Sequence, residues 1–199
     1  MDLNTSLFLR INAFARATSW LNEPMVDVAV YGVVVFAGLL LAGWWVARSS
    51  GDVHRQAAAW WAPLGTLLAV AVNQPIAAIL AEPRPVGAVP GALILVPGAG
   101  DPGLPSDHAM MAGAVTLGLF LVSRRLGAIA AVAALLLAFS RVYVGAHFPL
   151  DVVVGLALGA AVSLLGFVAL RGVLVRTVVA VNRTRLRPLV TATRRPAAA

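Results

Sequence analysis

The sequence predicts an all-α, polytopic membrane protein: a helical bundle of about five transmembrane helices, preceded by one helix at the membrane interface. The 199-residue chain is 60% hydrophobic, and its mean hydropathy is +0.90. Soluble domains usually have an apolar share nearer one half. Several apolar runs also reach the roughly 20 residues that cross about 30 Å of hydrocarbon.

The N-terminal region differs from the later apolar runs because polar residues interrupt it. Residues 3–20 have apolar side chains at helical spacing, with asparagine and arginine between them. This pattern favours a helix that lies in the interface rather than across the membrane. A frayed N-terminal arm is the alternative. No basic segment followed by a cleavable apolar core is present, so a signal peptide is not expected.

Five transmembrane spans are predicted from the longest apolar runs, at residues 26–47, 57–81, 106–124, 126–144 and 148–170. Trp44 and Trp45 precede Arg48 at the end of the first span, which is typical of a membrane interface. The third span, at about 17 residues, is close to the short limit for crossing, so we expect a recessed start. Pro149 suits the first turn of the fifth span, where its missing N–H loses no hydrogen bond.

Two segments are not expected to form long helices. Six prolines between residues 82 and 105 exclude a continuous helix there, and the apolar residues 92–96 are expected to dip into the interface. Residues 182–199 are rich in arginine and are predicted to be a disordered cytoplasmic tail. Residues 1–181 then form a single membrane domain.

The arginine distribution predicts the orientation of the bundle. All 15 basic residues are arginine, and eleven of them face the cytoplasm if the 48–55 loop, the 124–125 loop and the tail do. The N-terminus, the 82–105 stretch and residues 141–151 then lie outside. Beside a membrane, the net charge of +7 indicates contact with anionic headgroups, so no nucleic-acid partner is expected.

Three short polar segments lie at span ends on this predicted outer face. They read Glu82-Pro83-Arg84-Pro85, Pro105-Ser106-Asp107-His108 and Ser140-Arg141, followed by His147 and Asp151. Ionisable groups at membrane depth usually mark a functional site. Arginine holds phosphate oxygens in pairs, and histidine transfers protons or attacks as a nucleophile. The three segments therefore predict phosphate chemistry.

Spacing indicates how single residues would act. His147 lies just outside the fifth helix and Asp151 in its first turn, so the carboxylate can hold one imidazole N–H and leave the other nitrogen nucleophilic. Ser106 suits the N-cap of the third span, where free N–H groups favour an anion. His108 can donate a proton to a leaving group. Arg84 and Arg141 can hold phosphate oxygens.

Each segment also has a purely structural interpretation. His147 and Asp151 can be an interfacial pair that caps a helix, and Ser106 with His108 can be an ordinary helix start. Arg84 can be a solvated arginine in a turn. The chain has no cysteine, and no convergent set of three metal ligands is evident, so neither a metal nor another cofactor is predicted.

Together the segments resemble the type 2 phosphatidic acid phosphatase (PAP2) superfamily, whose pattern is Lys-x6-Arg-Pro, Pro-Ser-Gly-His and Ser-Arg-x5-His-x3-Asp. The third motif matches in full, and the first two match except at two positions. Asp107 stands where the family has glycine, and Ala77 stands at the lysine position. Pro-Ser-Asp-His and the residue 7–32 stretch are similar to bacterial undecaprenyl-diphosphatases of this type.

The resemblance implies a metal-independent lipid phosphatase with a phosphohistidine intermediate. His147 would attack phosphorus, Asp151 would orient it, and His108 would act as acid and then base. The phosphate-binding group would be Arg84, Ser106 and Arg141, with Asp107 included by its place in the motif. The charge of Asp107 does not suit a polyanion unless its side chain points away.

The implied substrate is a polyprenyl diphosphate such as undecaprenyl diphosphate. The enzyme would lie in the bacterial inner membrane, with its site facing the periplasm or cell exterior, and would recycle the carrier lipid of wall synthesis. A phosphatase for phosphatidic acid or phosphatidylglycerophosphate, a phosphotransferase and a non-catalytic lipid-phosphate binding protein are the alternatives. The sequence leaves open the lipid tail, the preference for mono- or diphosphate, the effect of Ala77 and the oligomeric state.

Overall fold

The structure, a computed structural model, describes residues 2–97 and 102–192. Within these residues all regular elements are helical, as the sequence predicts. The α-helices are α1 (Leu3–Ala17), α2 (Asn22–Tyr31), α3 (Val33–Ser50), α4 (Val53–Leu80), α5 (Pro85–Ala88), α6 (Asp107–Val122), α7 (Arg124–Tyr143) and α8 (Pro149–Asn182). Two short 3-10 turns cover Ser19–Leu21 and Arg187–Leu189.

Four of the described helices, α3, α4, α7 and α8, are long and apolar enough to cross a membrane. The predicted third span is the shorter helix α6, which has 16 residues. At about 1.5 Å per residue it is roughly 24 Å long, which is less than the hydrocarbon thickness. It packs against α4, α7 and α8. The short helix is therefore the centre of the bundle, and its longer neighbours bury it.

The predicted first span is divided at Gly32 into α2 and α3. A Cβ atom at Gly32 would collide with the Val28 carbonyl and would lie 3.1 Å from the Leu137 side chain. Glycine at this position therefore allows close packing of α2 against α7. Gly32 and Leu137 are far apart in the sequence, so the apolar run alone predicts one continuous helix.

Glycines of α8 bring it into close contact with α6. A Cβ atom at Gly159 would collide with the Met110 carbonyl, and one at Gly155 would lie 2.8 Å from the Ser106 carbonyl oxygen. Small residues at this spacing allow two helix backbones to approach closely. The Gly155-x-x-x-Gly159 pattern thus packs α8 within the bundle and fixes it beside the start of α6.

The last helix and the segment after it extend beyond the predicted fifth span. Helix α8 continues to Asn182, twelve residues beyond the predicted end of the fifth span. After it, Trp44 Nε1 donates to the Leu189 carbonyl at 2.8 Å, and Val190 is 1% exposed. Residues 183–192, which the sequence assigns to a disordered tail, thus contact the end of α3 in the structure. Residues 193–199 of the predicted tail lie outside the described residues.

Helix α1 and the 89–97 loop pack together over the end of the bundle that carries the polar segments. Phe8 of α1 meets Phe148 edge-on, with ring centroids 5.2 Å apart. Asn12 donates to the Leu93 carbonyl at 2.8 Å and accepts from the Leu93 N–H at 3.0 Å. The Leu95 N–H donates to the Val144 carbonyl at 2.9 Å. Residues 92–96, expected to dip into the interface, are thus held against the protein by α1 and by the end of α7.

Candidate active site

Hydrogen bonds from backbone groups and from the Arg84 side chain join the three polar segments at one end of the bundle. The Ser106 N–H donates to the Asp151 carbonyl at 3.1 Å, and the Gly103 N–H donates to the Glu82 carbonyl at 2.8 Å. The Arg84 guanidinium reaches the Ala146 carbonyl at 3.1 Å. We call this end the site end; it is where α4 and α7 finish and where α6 and α8 begin.

His147 lies in the loop between α7 and α8, and its side chain is buried at 1% exposure. Its Nδ1 is 2.9 Å from the Gly103 carbonyl oxygen and 3.4 Å from Asp151 Oδ2. Because both neighbours are hydrogen-bond acceptors, we assign the proton to Nδ1. Nε2 then carries a lone pair, which faces the Arg84 guanidinium at 3.1 Å.

Two acceptors face His147 Nδ1, whereas the sequence predicts an orienting role for Asp151 alone. Asp151 Oδ2 accepts the Phe148 N–H at 2.9 Å and so caps the start of α8. Its 3.4 Å distance from Nδ1 is longer than a good hydrogen bond, so the Gly103 carbonyl is the nearer acceptor. Sequence reasoning missed Gly103. The sequence signal for this position was a glycine within the proline-rich stretch. The structure shows why a glycine suits it, since a Cβ there would lie 3.2 Å from Asp151 Oδ2.

The surroundings of His147 also favour its neutral form. Burial lowers the pKa of His147 below its ordinary value, and the positive charges of Arg84 and Arg141 lower it further. The hydrogen bond and negative charge of Asp151 oppose this shift. Since burial is the largest cause, the imidazole keeps its lone pair at a lower pH than a solvated histidine would.

Arg84 lies where the chain enters the short helix α5, between two prolines. Its backbone is extended, with φ −77° and ψ 161°, and Pro85 begins the helix. Its Nη1 contacts both the Ala146 carbonyl and His147 Nε2. The predicted phosphate ligand is therefore next to the predicted nucleophilic atom.

Arg141 lies in the last turn of α7 and is 7% exposed. Its Nη1 donates to the Ala29 carbonyl of α2 at 3.2 Å. The positive charge of Arg141 acts on both His108 and His147. The anchor on α2, which the sequence did not indicate, thus fixes this guanidinium within electrostatic reach of both imidazoles.

Ser106 and His108 occupy the start of α6. Ser106 is the N-cap residue and is fully buried, yet its hydroxyl has no hydrogen-bond partner within the described part of the chain. The hydroxyl and the first N–H groups of α6 form the kind of end that binds an anion. His108 follows in the first turn, where the positive charges of Arg141 and Arg84 and the negative charge of Asp107 act on it.

Asp107, grouped with the phosphate ligands in the sequence, has different partners in the structure. Its Oδ1 accepts from Asn73 Nδ2 at 2.6 Å and from Gln74 Nε2 at 3.0 Å. An ionised carboxylate only accepts hydrogen bonds, so it offers nothing to a phosphate oxygen. Sequence reasoning missed Asn73 and Gln74. Two adjacent amides in an apolar helix, four and three residues before Ala77, were the available signal.

A cavity of about 510 Å³ opens beside Asp151. Glu82, Leu104, Phe148 and Leu150 line part of it, together with the start of α1. The Leu150 N–H donates to Asn4 Oδ1 at 2.9 Å, which joins α1 to the first turn of α8. The site end therefore has a mixed polar and apolar space next to the catalytic candidates.

Comparison with known proteins identifies the family. Residues 58–174, more than half of the chain, match the PAP2 superfamily. The chain belongs to this superfamily. It is 30% identical over 165 residues to undecaprenyl-diphosphatase BcrC of Bacillus subtilis, covering 83% of each protein. It is 36% identical over 170 residues to an undecaprenyl-diphosphatase of Sulfolobus acidocaldarius, covering 83% of this chain and 77% of that protein.

Two solved structures of PAP2-type proteins share the fold. The crystal structure of LpxE from Aquifex aeolicus superposes with a TM-score of 0.62 at 24% identity, covering 84% of this chain and 96% of that one. A PAP2-type phosphatidylglycerolphosphate phosphatase from B. subtilis gives 0.60 at 25% identity, covering 85% and 88%. The predicted family is confirmed, and this PAP2 protein is a multi-pass membrane phosphatase.

Proposed function

We propose that this PAP2 phosphatase hydrolyses a polyprenyl diphosphate, such as undecaprenyl diphosphate, to the monophosphate and inorganic phosphate. Two relatives named undecaprenyl-diphosphatase, each matched over 83% of this chain, support the substrate class. The observation that carries the mechanism is the setting of His147. Its Nδ1 faces two acceptors, and its Nε2 faces the Arg84 guanidinium at 3.1 Å.

In the first step, His147 Nε2 attacks the terminal phosphorus. The N–P bond forms as the P–O bond to the polyprenyl phosphate breaks, and His108 gives its proton to the departing oxygen. Gly103 and Asp151 stabilise the positive imidazole that results, because both are acceptors at Nδ1. The product of this step is a phosphohistidine together with the lipid monophosphate.

In the second step, water replaces the histidine. His108, now neutral, takes a proton from the attacking water as the N–P bond breaks and inorganic phosphate leaves. His147 returns to its neutral form with the proton on Nδ1. His108 has regained its proton and the cycle is complete.

Donors around the phosphorus stabilise the charge that develops on its three equatorial oxygens. Arg84 is already in place beside Nε2, and the bound phosphoryl group would accept its N–H groups. Arg141, the Ser106 hydroxyl and the N–H groups at the start of α6 complete the set. Removal of one such donor typically costs about 3–4 kcal/mol in the barrier.

The assay that tests this function is phosphate release from purified protein in detergent, with EDTA present. We expect turnover of undecaprenyl diphosphate that survives chelation and falls by at least about 10⁴-fold in His147→Ala, as for a lost nucleophile. His54→Ala is the matched control, because His54 is an exposed histidine in the first turn of α4, at the end of the bundle opposite the site end. Equal activity in both variants would exclude His147 as the nucleophile.

The same assay separates the alternative functions. Similarity to the phosphatidylglycerolphosphate phosphatase fold favours a glycerolipid phosphate as the second candidate substrate. If phosphatidylglycerophosphate or phosphatidic acid is hydrolysed faster than undecaprenyl diphosphate, that glycerolipid would be the preferred substrate instead. Transfer of the phosphoryl group to an added alcohol would indicate a phosphotransferase. Absence of turnover on every lipid phosphate would indicate a non-catalytic binding protein.

We also propose that the site end faces the periplasm or cell exterior of a bacterial inner membrane, where this reaction would recycle the carrier lipid of wall synthesis. The excess of arginine at the opposite end supports this orientation. The chain has no cysteine, so a single introduced thiol reports topology without background. Gly87→Cys should react with an impermeant reagent on intact cells and Ser49→Cys only after lysis. The reverse pattern would overturn the orientation.

A further inference from the structure

We propose, on the basis of the function proposed above, that Asn73 and Asp107 form a positioning pair. The pair holds the start of α6 against α4 and so places the Ser106 hydroxyl and the His108 imidazole for phosphoryl transfer. Neither residue touches the reacting atoms in this assignment. Asn73 was not among the predicted site residues, and Asp107 changes from a phosphate ligand to a support.

The contacts of Asn73 carry this assignment. Its side chain is 1% exposed, and its Nδ2 donates both to the Pro105 carbonyl at 3.1 Å and to Asp107 Oδ1 at 2.6 Å. A single buried amide thus holds the residues on either side of Ser106. Buried donors keep their partners because a lost hydrogen bond leaves a desolvated group unpaired.

The start of α6 needs such support because its own cap does not supply one. The Ser106 side chain makes no capping hydrogen bond to the helix. Its backbone N–H instead donates to the Asp151 carbonyl at 3.1 Å. Residues 105–107 are therefore held from two sides, by Asp151 on α8 and by Asn73 on α4. This leaves the Ser106 hydroxyl available to a phosphate oxygen.

The same contacts explain how an acidic residue is tolerated beside a site for a polyanion. Two amide groups, from Asn73 and Gln74, donate to Asp107 Oδ1 and direct it toward α4. The positive end of the α6 dipole also favours a carboxylate in the first turn. The negative charge is thus held by α4 and by the start of α6.

Four variants test the pair by phosphate release from undecaprenyl diphosphate. We expect Asn73→Ala and Asp107→Ala each to lower kcat by about tenfold to a hundredfold, since a displacement near 1 Å has effects of this size. Asp107→Asn keeps an acceptor oxygen, so it should be several-fold more active than Asp107→Ala. The double alanine variant should lose less activity than the product of the two single losses, because both single variants already lack the Asn73–Asp107 hydrogen bond.

Thr66→Ala is the matched control, since it removes another buried polar side chain of α4, whose hydroxyl donates to the Ala62 carbonyl of the same helix at 2.8 Å. Loss of activity in Thr66→Ala equal to that in Asn73→Ala would show a general effect of α4 stability and overturn the pairing. Additive losses in the double variant would do the same. Equal activities of Asp107→Asn and Asp107→Ala would assign the effect to charge instead of position.

Orthovanadate binding, measured by calorimetry on the purified protein, gives a readout that does not depend on the lipid. Asn73→Ala and Asp107→Ala should bind this probe at least about tenfold more weakly than wild type. Unchanged binding would contradict the positioning role even if no lipid is turned over. Wild type that binds orthovanadate but fails to hydrolyse polyprenyl diphosphate would instead contradict the proposed substrate, and the variants would still decide the pair.

Discussion

The two sides of the active site are assembled in different ways. On the α7–α8 side, local contacts within residues 141–151 place the reactive groups: the His147 N–H donates to the Arg141 carbonyl at 3.2 Å, and Asp151 caps Phe148. On the α4–α6 side, placement depends on contacts between distant residues, such as Asn73 with Asp107. The backbone of the proposed nucleophile, His147, is thus placed by the short loop between α7 and α8, although the distant Gly103 and Arg84 contact its ring. The proposed acid and phosphate-binding groups on the other side depend on how helices pack.

Loss of the general acid should give the largest effect on the α4–α6 side. We expect His108→Gln to lower kcat/KM for the polyprenyl diphosphate by about 10²–10⁴-fold. A synthetic aryl phosphate has a leaving group that needs less protonation. Its kcat/KM, which reports the first step, should therefore fall much less in this variant. Steady-state kinetics on both substrates measures the difference. An equal loss on both would assign His108 to phosphate binding.

Loss of the Asp151 carboxylate should have a moderate effect on the α7–α8 side. Asp151→Asn keeps an oxygen that can accept the Phe148 N–H, and the Gly103 carbonyl still holds Nδ1. We therefore expect a tenfold to hundredfold loss of kcat, below the roughly 10⁴-fold loss when a catalytic triad aspartate is replaced. A loss as large as that of His147→Ala would show that Asp151 is the essential orienting group.

The smallest effect expected is on the pH profile. The pKa of His147 is lowered, and its neutral imidazole is the proposed nucleophile, so the loss of kcat/KM caused by protonation of His147 should appear only below about pH 6.5. Asp151 raises this pKa, so in Asp151→Asn the decline should move to still lower pH. Profiles of both enzymes on one substrate check this. If kcat/KM of the wild type already falls above pH 7 as the pH is lowered, a neutral, buried His147 would be contradicted.

The difference between the two sides also explains what the sequence could predict. The start of α8 at Pro149 and the proximity of His147 to Asp151 follow from helix geometry over a few residues. The four long helices follow from apolar runs of sufficient length. These features depend on residues that are close in sequence, so local patterns are enough to predict them.

The features that the sequence did not predict depend on tertiary packing. At the break between α2 and α3, Gly32 lies against the side chain of Leu137, and residues 183–192 form hydrogen bonds with Trp44 and Arg48. The Gly103 carbonyl at Nδ1 is a backbone group, and any residue type supplies one. No local pattern marks such contacts, so only the folded structure identifies them.

The most direct test of the mechanism is isolation of the covalent intermediate. Wild-type enzyme, mixed with polyprenyl diphosphate labelled at the terminal phosphate and quenched in alkali within one turnover, should carry label on the peptide that contains His147. The label should be stable to alkali and lost in acid, as expected of a phosphoramidate, and it should be absent from His147→Ala but present in His54→Ala. Label on another residue, or full turnover with no labelled protein at any time, would contradict nucleophilic attack by His147.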